Sequence, residues 1–126
     1  MTNGTLILVV EDNEANQLLA SSVLERAGYR VAVASNSVEA LDAIKRSEPA
    51  LILMDIQLPG KDGLAFTREL KADPATAAIP IVALTALAMP GDLARSLEAG
   101  CAGYISKPID TRTLTTEVQK YLAARR

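Results

Sequence analysis

Residues 51–60 read Leu-Ile-Leu-Met-Asp-Ile-Gln-Leu-Pro-Gly, a fully apolar run of strand length that ends in one carboxylate, Asp55. Four consecutive apolar residues without polar alternation predict a strand that is buried on both faces, as in a parallel sheet covered by helices. Sheets of this kind carry their chemistry at the carboxyl ends of the strands. The position of Asp55 follows that rule, and Pro59-Gly60 predicts a turn shortly after it.

The composition predicts one compact cytoplasmic domain, residues 1–126. With 126 residues, 49% of them hydrophobic, the chain can bury a core but has no room for a second domain. A net charge of −2 and 3% aromatic residues argue against nucleic acid as a partner. No apolar run approaches the ~20 residues of a membrane span, and no basic signal region opens the chain, so we predict no membrane contact. One cysteine and no histidine exclude an internal disulfide, histidine catalysis and phosphohistidine.

Five apolar strands alternate with five amphipathic helices. The predicted strands are Leu6–Val10, Arg30–Ala34, Leu51–Met54, Ile81–Leu84 and Gly103–Ser106. The helical side chains expected to face the sheet include Leu18, Val38, Leu41, Leu64, Phe66, Leu93, Leu97, Leu114 and Val118. This alternation demands parallel strands, right-handed crossovers and helices on both faces. We therefore predict an α/β fold, the flavodoxin-like (βα)5 doubly wound sheet with strand order 2-1-3-4-5, which places the two most apolar strands at the centre.

Polar side chains collect at the rim where the parallel strands end. Glu11 and Asp12 follow the first strand, Asp55 the third, Thr85 the fourth and Lys107 the fifth. Neighbouring carboxylates repel by roughly 4 kcal/mol per close pair at an effective dielectric near 20, so either one is protonated or a cation is present. Three carboxylates and one lysine leave two negative charges, which one divalent ion would neutralise. Oxygen ligands without histidine or thiolate suit Mg²⁺ that keeps several waters.

These surroundings suit phosphoryl transfer. A carboxylate beside Mg²⁺, an ammonium group and a hydroxyl group has what a phosphoryl group needs as it moves. Asp55 is then placed to act as a nucleophile and to form an acyl phosphate. The alternative interpretation is that acids at strand ends are ordinary loop residues, but the agreement of four strand ends favours a site.

Ordered motifs stand at these four strand ends. They read Val-Val-Glu-Asp-Asn at 9–13, Leu-Met-Asp-Ile-Gln-Leu-Pro-Gly-Lys-Asp-Gly at 53–63, Leu-Thr-Ala at 84–86 and Tyr-Ile-Ser-Lys-Pro at 104–108. Together they resemble the receiver domain of bacterial two-component response regulators, and the likeness covers essentially the whole chain. Within that family the sequence is similar to stand-alone receivers of the alphaproteobacterial cell-division type and to receivers of hybrid histidine kinases.

The resemblance implies that Asp55 is the phosphoacceptor of a phosphorelay and that a magnesium site surrounds it. Asp12, Asp55 and the backbone carbonyl of Gln57 would bind Mg²⁺, and Glu11 would reach the ion through water. On this interpretation the protein is no conventional turnover enzyme but catalyses its own phosphorylation and dephosphorylation at Asp55.

The resemblance also implies how the phosphoryl group is held and sensed. Lys107 would pair with the phosphoryl oxygens, and Thr85 would donate its hydroxyl to the phosphoryl group after transfer. Tyr104 would then be the switch residue that turns inward with Thr85, unless it is an ordinary half-buried core tyrosine. Leu87 occupies a position that influences loss of phosphate in this family, and Lys107-Pro108 is expected to be a cis bond.

The implied partners are proteins. Because the chain has no histidine, the phosphoryl group must come from the phosphohistidine of a sensor histidine kinase or a histidine phosphotransfer protein. The likeness places the donor's contact surface on the first half of helix one and the last loop, at Asn13, Asn16, Gln17, Ala20 and Pro108. Output is expected through a downstream protein target, and the protein is predicted to be a monomer or a weak homodimer.

Two other classes of protein remain as alternatives. A flavodoxin-like cofactor-binding module would need a glycine-rich or hydroxyl-rich cradle after the first strand, where this chain has Glu11-Asp12-Asn13. An aspartyl-phosphate phosphohydrolase would need a second acid two positions after its nucleophile, where this chain has Gln57. A degenerate receiver is a third reading, and the retained acids, threonine and lysine argue against it.

Overall fold

Five strands alternate with five helices in the computed structural model, which describes residues 4–58, 60, 62–86 and 90–124. The strands are β1 (Leu6–Val10), β2 (Arg30–Ala34), β3 (Leu51–Asp55), β4 (Ile81–Thr85) and β5 (Gly103–Ser106). The helices are α1 (Glu14–Arg26), α2 (Ser37–Arg46), α3 (Gly63–Ala72), α4 (Pro90–Ala99) and α5 (Leu114–Ala124). All four strand pairs are parallel and the order is β2-β1-β3-β4-β5, which confirms the predicted topology. None of the described helices is both long and apolar enough to span a membrane.

The sheet separates two hydrophobic clusters. Side chains of β1, β3 and β4 point alternately to either face, as the period of a strand requires. One face packs against α2, α3 and the end of α4, and the other against α1 and α5. Every residue of β3 is buried, so its uninterrupted apolar run reflects burial on both faces.

Several predicted helix faces were wrong in detail. Leu18, Val38 and Leu97 are 69%, 75% and 57% exposed, although each was expected to face the sheet. Small residues take those places instead, since Ala20, Ala40 and Ser96 are at most 1% exposed. The predicted faces of α3 and α5 are correct, with Leu64, Phe66, Leu114 and Val118 all buried.

Capping residues and turns define several of the helix ends. Asn13 caps α1 by accepting a hydrogen bond of 3.0 Å from the backbone N–H of Asn16. Gly28 follows α1 with a φ of 101°, a conformation that favours glycine, and Lys107-Pro108 is cis as expected. Asp110 accepts a hydrogen bond from the Arg112 N–H in a short turn, and α5 begins after that turn, at Leu114.

Candidate functional site

The carboxyl ends of four strands bring the predicted polar residues to one rim. Glu11 and Lys107 directly follow β1 and β5, and Asp55 and Thr85 are the last residues of β3 and β4. The Lys107 N–H donates to the Thr85 carbonyl at 2.8 Å, and the Glu11 N–H donates to the Ala34 carbonyl at 2.9 Å. Because these bonds continue the ladders one residue past β1 and β5, the sheet itself positions both side chains.

Glu11, Asp12 and Asp55 form an acidic cluster in which one carboxylate oxygen of each residue lies within 4.8 Å of the others. Glu11 and Asp55 are 1% and 2% exposed, whereas Asp12 is open to solvent. Carboxylates buried to this extent persist as anions only when they are paired or hydrogen-bonded. The partners of the two buried acids therefore define the site.

Lys107 supplies the compensating positive charge. Its Nζ lies 2.9 Å from Glu11 Oε1 and 3.0 Å from Asp55 Oδ2, and its side chain is 16% exposed. Burial alone would lower the pKa of Lys107, but the hydrogen bonds and charges of the two carboxylates outweigh burial and raise that pKa above its usual value. Three carboxylates and one ammonium group still leave two net negative charges at the rim.

Both carboxylate oxygens of Asp55 have partners. Oδ2 pairs with Lys107, and Oδ1 accepts a hydrogen bond of 2.9 Å from the backbone N–H of Gln57. The two donors hold this carboxylate in place at the rim, and an aspartate carboxylate is a nucleophile that can form an acyl phosphate. Gly63 packs against the main chain of the same residue, because a Cβ at Gly63 would lie 2.2 Å from the Asp55 carbonyl oxygen.

The contacts of Glu11 were not foreseen from sequence. Its Oε1 pairs with Lys107 and also accepts a hydrogen bond of 3.3 Å from Asn16 Nδ2, while Oε2 accepts one of 3.1 Å from the Asn13 N–H. The water-mediated metal contact of Glu11 stays a prediction. A signal for the Asn16 contact is the spacing of two asparagines, the cap residue Asn13 two positions after Glu11 and Asn16 three positions after Asn13.

Thr85 and Tyr104 lie on neighbouring strands. The β4–β5 register pairs Thr85 with Ser106 and Ala83 with Tyr104. Thr85 is 2% exposed and Tyr104 is 38% exposed. Tyr104, together with Tyr121, lines a surface groove of about 510 Å³. Their roles as a switch stay predictions, and Leu87 lies outside the described residues.

The predicted donor surface needs one correction. Ala20 is 0% exposed and packs in the core cluster beneath α1, so it is not available to a partner and its inclusion was wrong. Asn13 and Pro108 are exposed, whereas Asn16 and Gln17 are half-buried. The Gln17 side chain turns inward, where Nε2 donates to the Glu11 carbonyl and to Ser35 Oγ, the latter at 3.0 Å.

The fold and the rim are those of a receiver. The protein belongs to the response regulator receiver domain family, and the match to this family covers residues 7–119. It is similar to the polar-differentiation response regulator DivK of Brucella anthropi, with 44% identity over 116 residues that cover 92% of this chain and 94% of DivK. The family likeness predicted from the sequence, including that to stand-alone alphaproteobacterial receivers, is confirmed.

Solved structures agree with this assignment. A protein from Chloroflexus aurantiacus described as a response regulator superposes with a TM-score of 0.90 at 31% identity, covering 96% of this chain and 99% of the other. The receiver domain of a sensor histidine kinase from Pseudomonas aeruginosa, described as having magnesium coordinated in its active-site cleft, superposes with a TM-score of 0.85 at 38% identity, covering 95% and 98%. The family assignment favours a receiver over the flavodoxin-like and phosphohydrolase alternatives.

Proposed function

We propose that this receiver accepts a phosphoryl group on Asp55 from the phosphohistidine of a partner protein and then changes its surface toward a downstream protein. The observation that carries the proposal is the buried Asp55 carboxylate, fixed between Lys107 Nζ at 3.0 Å and the Gln57 N–H at 2.9 Å beside two further acids. Membership of the receiver family supports the same role.

The residues of the chain itself would carry the transfer. An Asp55 oxygen attacks phosphorus while the bond from phosphorus to the imidazole nitrogen breaks, so that an acyl phosphate forms. The other ring nitrogen of the donor histidine carries a proton, so the leaving group is neutral imidazole. Lys107, which already contacts Asp55, would pair with the transferred phosphoryl oxygens. The Thr85 hydroxyl would donate a hydrogen bond to the phosphoryl group, and Tyr104 would turn inward as Thr85 moves.

The acidic cluster fits Mg²⁺. Asp12, Asp55 and the backbone carbonyl of Gln57 would hold the ion, and Glu11 would reach it through water. Three carboxylate oxygens within 4.8 Å of one another form the hard, oxygen-only ligand set that this ion prefers. When bound, Mg²⁺ would neutralise the two excess negative charges of the rim, so that these charges no longer repel an incoming phosphoryl group.

The donor would be a sensor histidine kinase or a histidine phosphotransfer protein, because this chain contains no histidine. The exposed residues Asn13 and Pro108, with the half-buried Asn16 and Gln17, would form its contact surface next to Asp55. We place the protein in the cytoplasm, where such donors present their phosphohistidines, as a single domain that acts as a monomer or a weak homodimer.

Incubation with acetyl phosphate and Mg²⁺ tests the proposal without a partner protein. Intact-mass measurement is expected to show one added phosphate with Mg²⁺ and none with excess EDTA, because the acidic cluster repels a phosphate anion until a cation is bound. Hydroxylamine should release the phosphate, since it attacks acyl phosphates. Phosphate uptake that persists in excess EDTA, or a phosphate adduct that hydroxylamine does not release, would rule out the proposed chemistry.

Replacing Asp12 with asparagine tests whether this carboxylate binds Mg²⁺ and whether it destabilises the metal-free protein. The variant is expected to be more stable than wild type in EDTA by about 1 kcal/mol, roughly the repulsion of two unit charges 4 Å apart in water. Mg²⁺ should no longer raise its melting temperature. Glu25→Gln, the same charge change at the far end of α1, serves as the control and should keep the magnesium effect. If Asp12→Asn were less stable than wild type in EDTA, repulsion among the carboxylates of the acidic cluster would be ruled out as a destabilising effect.

A further inference from the structure

Helix α1 holds Glu11 at its side chain and at its main chain. Asn16 Nδ2 donates to Glu11 Oε1 at 3.3 Å, and Gln17 Nε2 donates to the Glu11 carbonyl oxygen. Gln17 also donates to Ser35 Oγ at 3.0 Å, which ties the turn after β1 to the turn after β2. Two adjacent residues of one helix therefore fix both ends of an acid that is 1% exposed.

Asn16 takes part in a closed ring of hydrogen bonds. Its backbone N–H donates to Asn13 Oδ1 at 3.0 Å, the Asn13 N–H donates to Glu11 Oε2 at 3.1 Å, and the Asn16 side chain returns to Glu11 Oε1. The carboxylate of Glu11 is thus held at both oxygens by the first turn of α1. These contacts fix the orientation of the carboxylate, because rotation about the Cγ–Cδ bond of Glu11 would break a hydrogen bond at each oxygen.

The orientation of Glu11 matters because Glu11 and Asp55 share Lys107. The ammonium lies 2.9 Å from Glu11 Oε1 and 3.0 Å from Asp55 Oδ2, so its place beside Asp55 is set by both acids. Oε1 is the oxygen that Asn16 also contacts. Asn16 and Lys107 therefore contact the same oxygen of Glu11.

We propose that Asn16 is a positioning residue for phosphoryl transfer, acting through Glu11 to keep the Lys107 ammonium beside Asp55. This inference rests on the proposed function. It gives Asn16 a task inside the site, whereas the sequence placed it only on the surface that meets the phosphodonor protein. The half-buried position of Asn16 and the inward direction of its amide fit that task.

A small phosphodonor separates the two roles, since acetyl phosphate makes no contact with a docking surface. With acetyl phosphate, Asn16→Ala is expected to lower the maximal rate of phosphorylation roughly threefold to tenfold, the range for the loss of one ordinary hydrogen bond, since the contact is a long one of 3.3 Å. The Mg²⁺ concentration for half-maximal rate should change less than about twofold, because Asn16 contacts neither of the proposed direct ligands, Asp12 and Asp55, and Glu11 would reach the ion only through water. Ser22→Ala, an exposed change on the same helix, is the control and should match wild type.

A double-mutant cycle with Glu11→Gln shows whether Asn16 acts through Glu11. The amide of Glu11→Gln has no negative charge with which to hold the Lys107 ammonium. Asn16→Ala should therefore cause no further loss of rate in the Glu11→Gln variant. Equal losses with and without Glu11→Gln, or a wild-type rate in Asn16→Ala, would overturn the positioning role. Absence of phosphate uptake by the wild-type protein itself would instead overturn the proposed function, so the two failures are distinguishable.

Discussion

Replacing Lys107 with methionine is expected to lower the free energy of unfolding of the metal-free protein by about 3–5 kcal/mol. Methionine keeps much of the length of lysine but not its charge. The side chains of Glu11 and Asp55, only 1% and 3% exposed, would then be buried as two carboxylates with no cation between them. Removing one partner of a buried pair leaves an uncompensated charge, and in this site it leaves two that also repel each other.

Urea unfolding in EDTA measures the loss, and repeating it with Mg²⁺ identifies its cause. Mg²⁺ is expected to restore more stability to Lys107→Met than to wild type, because the ion would supply the missing positive charge. Lys120→Met is the matched control, since the Lys120 side chain is 63% exposed and 3.9 Å from Glu117, and it should change stability by less than about 0.5 kcal/mol. Equal losses in both variants would contradict the buried ion-pair assignment.

The pH dependence of the Lys107 effect has a definite sign. Contacts with Glu11 and Asp55 raise the pKa of Lys107 above the usual value of 10.5. A cation whose pKa is raised on folding contributes its full stabilisation below its unfolded pKa and loses it as the pH rises through the folded pKa. The difference between wild type and Lys107→Met should therefore stay level from neutral to mildly alkaline pH and shrink only above about 10.4.

Replacing Gly63 with alanine is expected to destabilise the protein by about 2–3 kcal/mol, the usual cost of overpacking a rigid site. The added Cβ would lie 2.2 Å from the Asp55 carbonyl oxygen and 2.7 Å from the Ile56 Cα, both of which are backbone atoms. Either α3 or the end of β3 must move, and the Gly63 N–H bond to the Ile56 carbonyl, now 3.1 Å, would stretch. Because Asp55 lies at this contact, Mg²⁺ binding should weaken as well.

Gly91 provides a matched control for Gly63, because both glycines lie in the first turn of a helix. A Cβ at Gly91 meets nothing within 4 Å, so Gly91→Ala should be neutral or stabilising by up to about 1 kcal/mol. Thermal unfolding and Mg²⁺ titration by calorimetry measure both effects. If Gly63→Ala were as stable as Gly91→Ala and bound Mg²⁺ like wild type, the close packing beneath Asp55 would be refuted.

The sheet was predictable because its central strands β1, β3 and β4 are apolar without alternation and the segments between the strands show helical periodicity. Burial of β3 and β4 on both faces follows directly from that pattern, whereas β2, at one edge of the sheet, is partly exposed. The helix faces were less predictable. At α1, α2 and α4 the small residues Ala20, Ala40 and Ser96 are buried, and a pattern based on large apolar residues misses small side chains that allow close approach.

The acids, threonine and lysine of the site were predictable for a topological reason, since parallel strands deliver their carboxyl ends to one rim. The direction of long side chains was not. Asn16 and Gln17 lie on a helix surface by spacing, yet both turn their amides inward to Glu11. That choice depends on rotamers and on the burial of Glu11, neither of which a sequence pattern records.

Phosphate uptake by Asp55→Asn is the measurement that tests the central claim most directly. Wild type, Asp55→Asn and the exposed-site control Asp42→Asn are incubated with acetyl phosphate and Mg²⁺, and intact mass is followed by peptide mapping. Wild type and the control are expected to gain one phosphate on the peptide that contains residue 55, and Asp55→Asn to gain none. Equal uptake by Asp55→Asn, or a phosphate on any other peptide, would contradict the assignment of Asp55 as the phosphoacceptor.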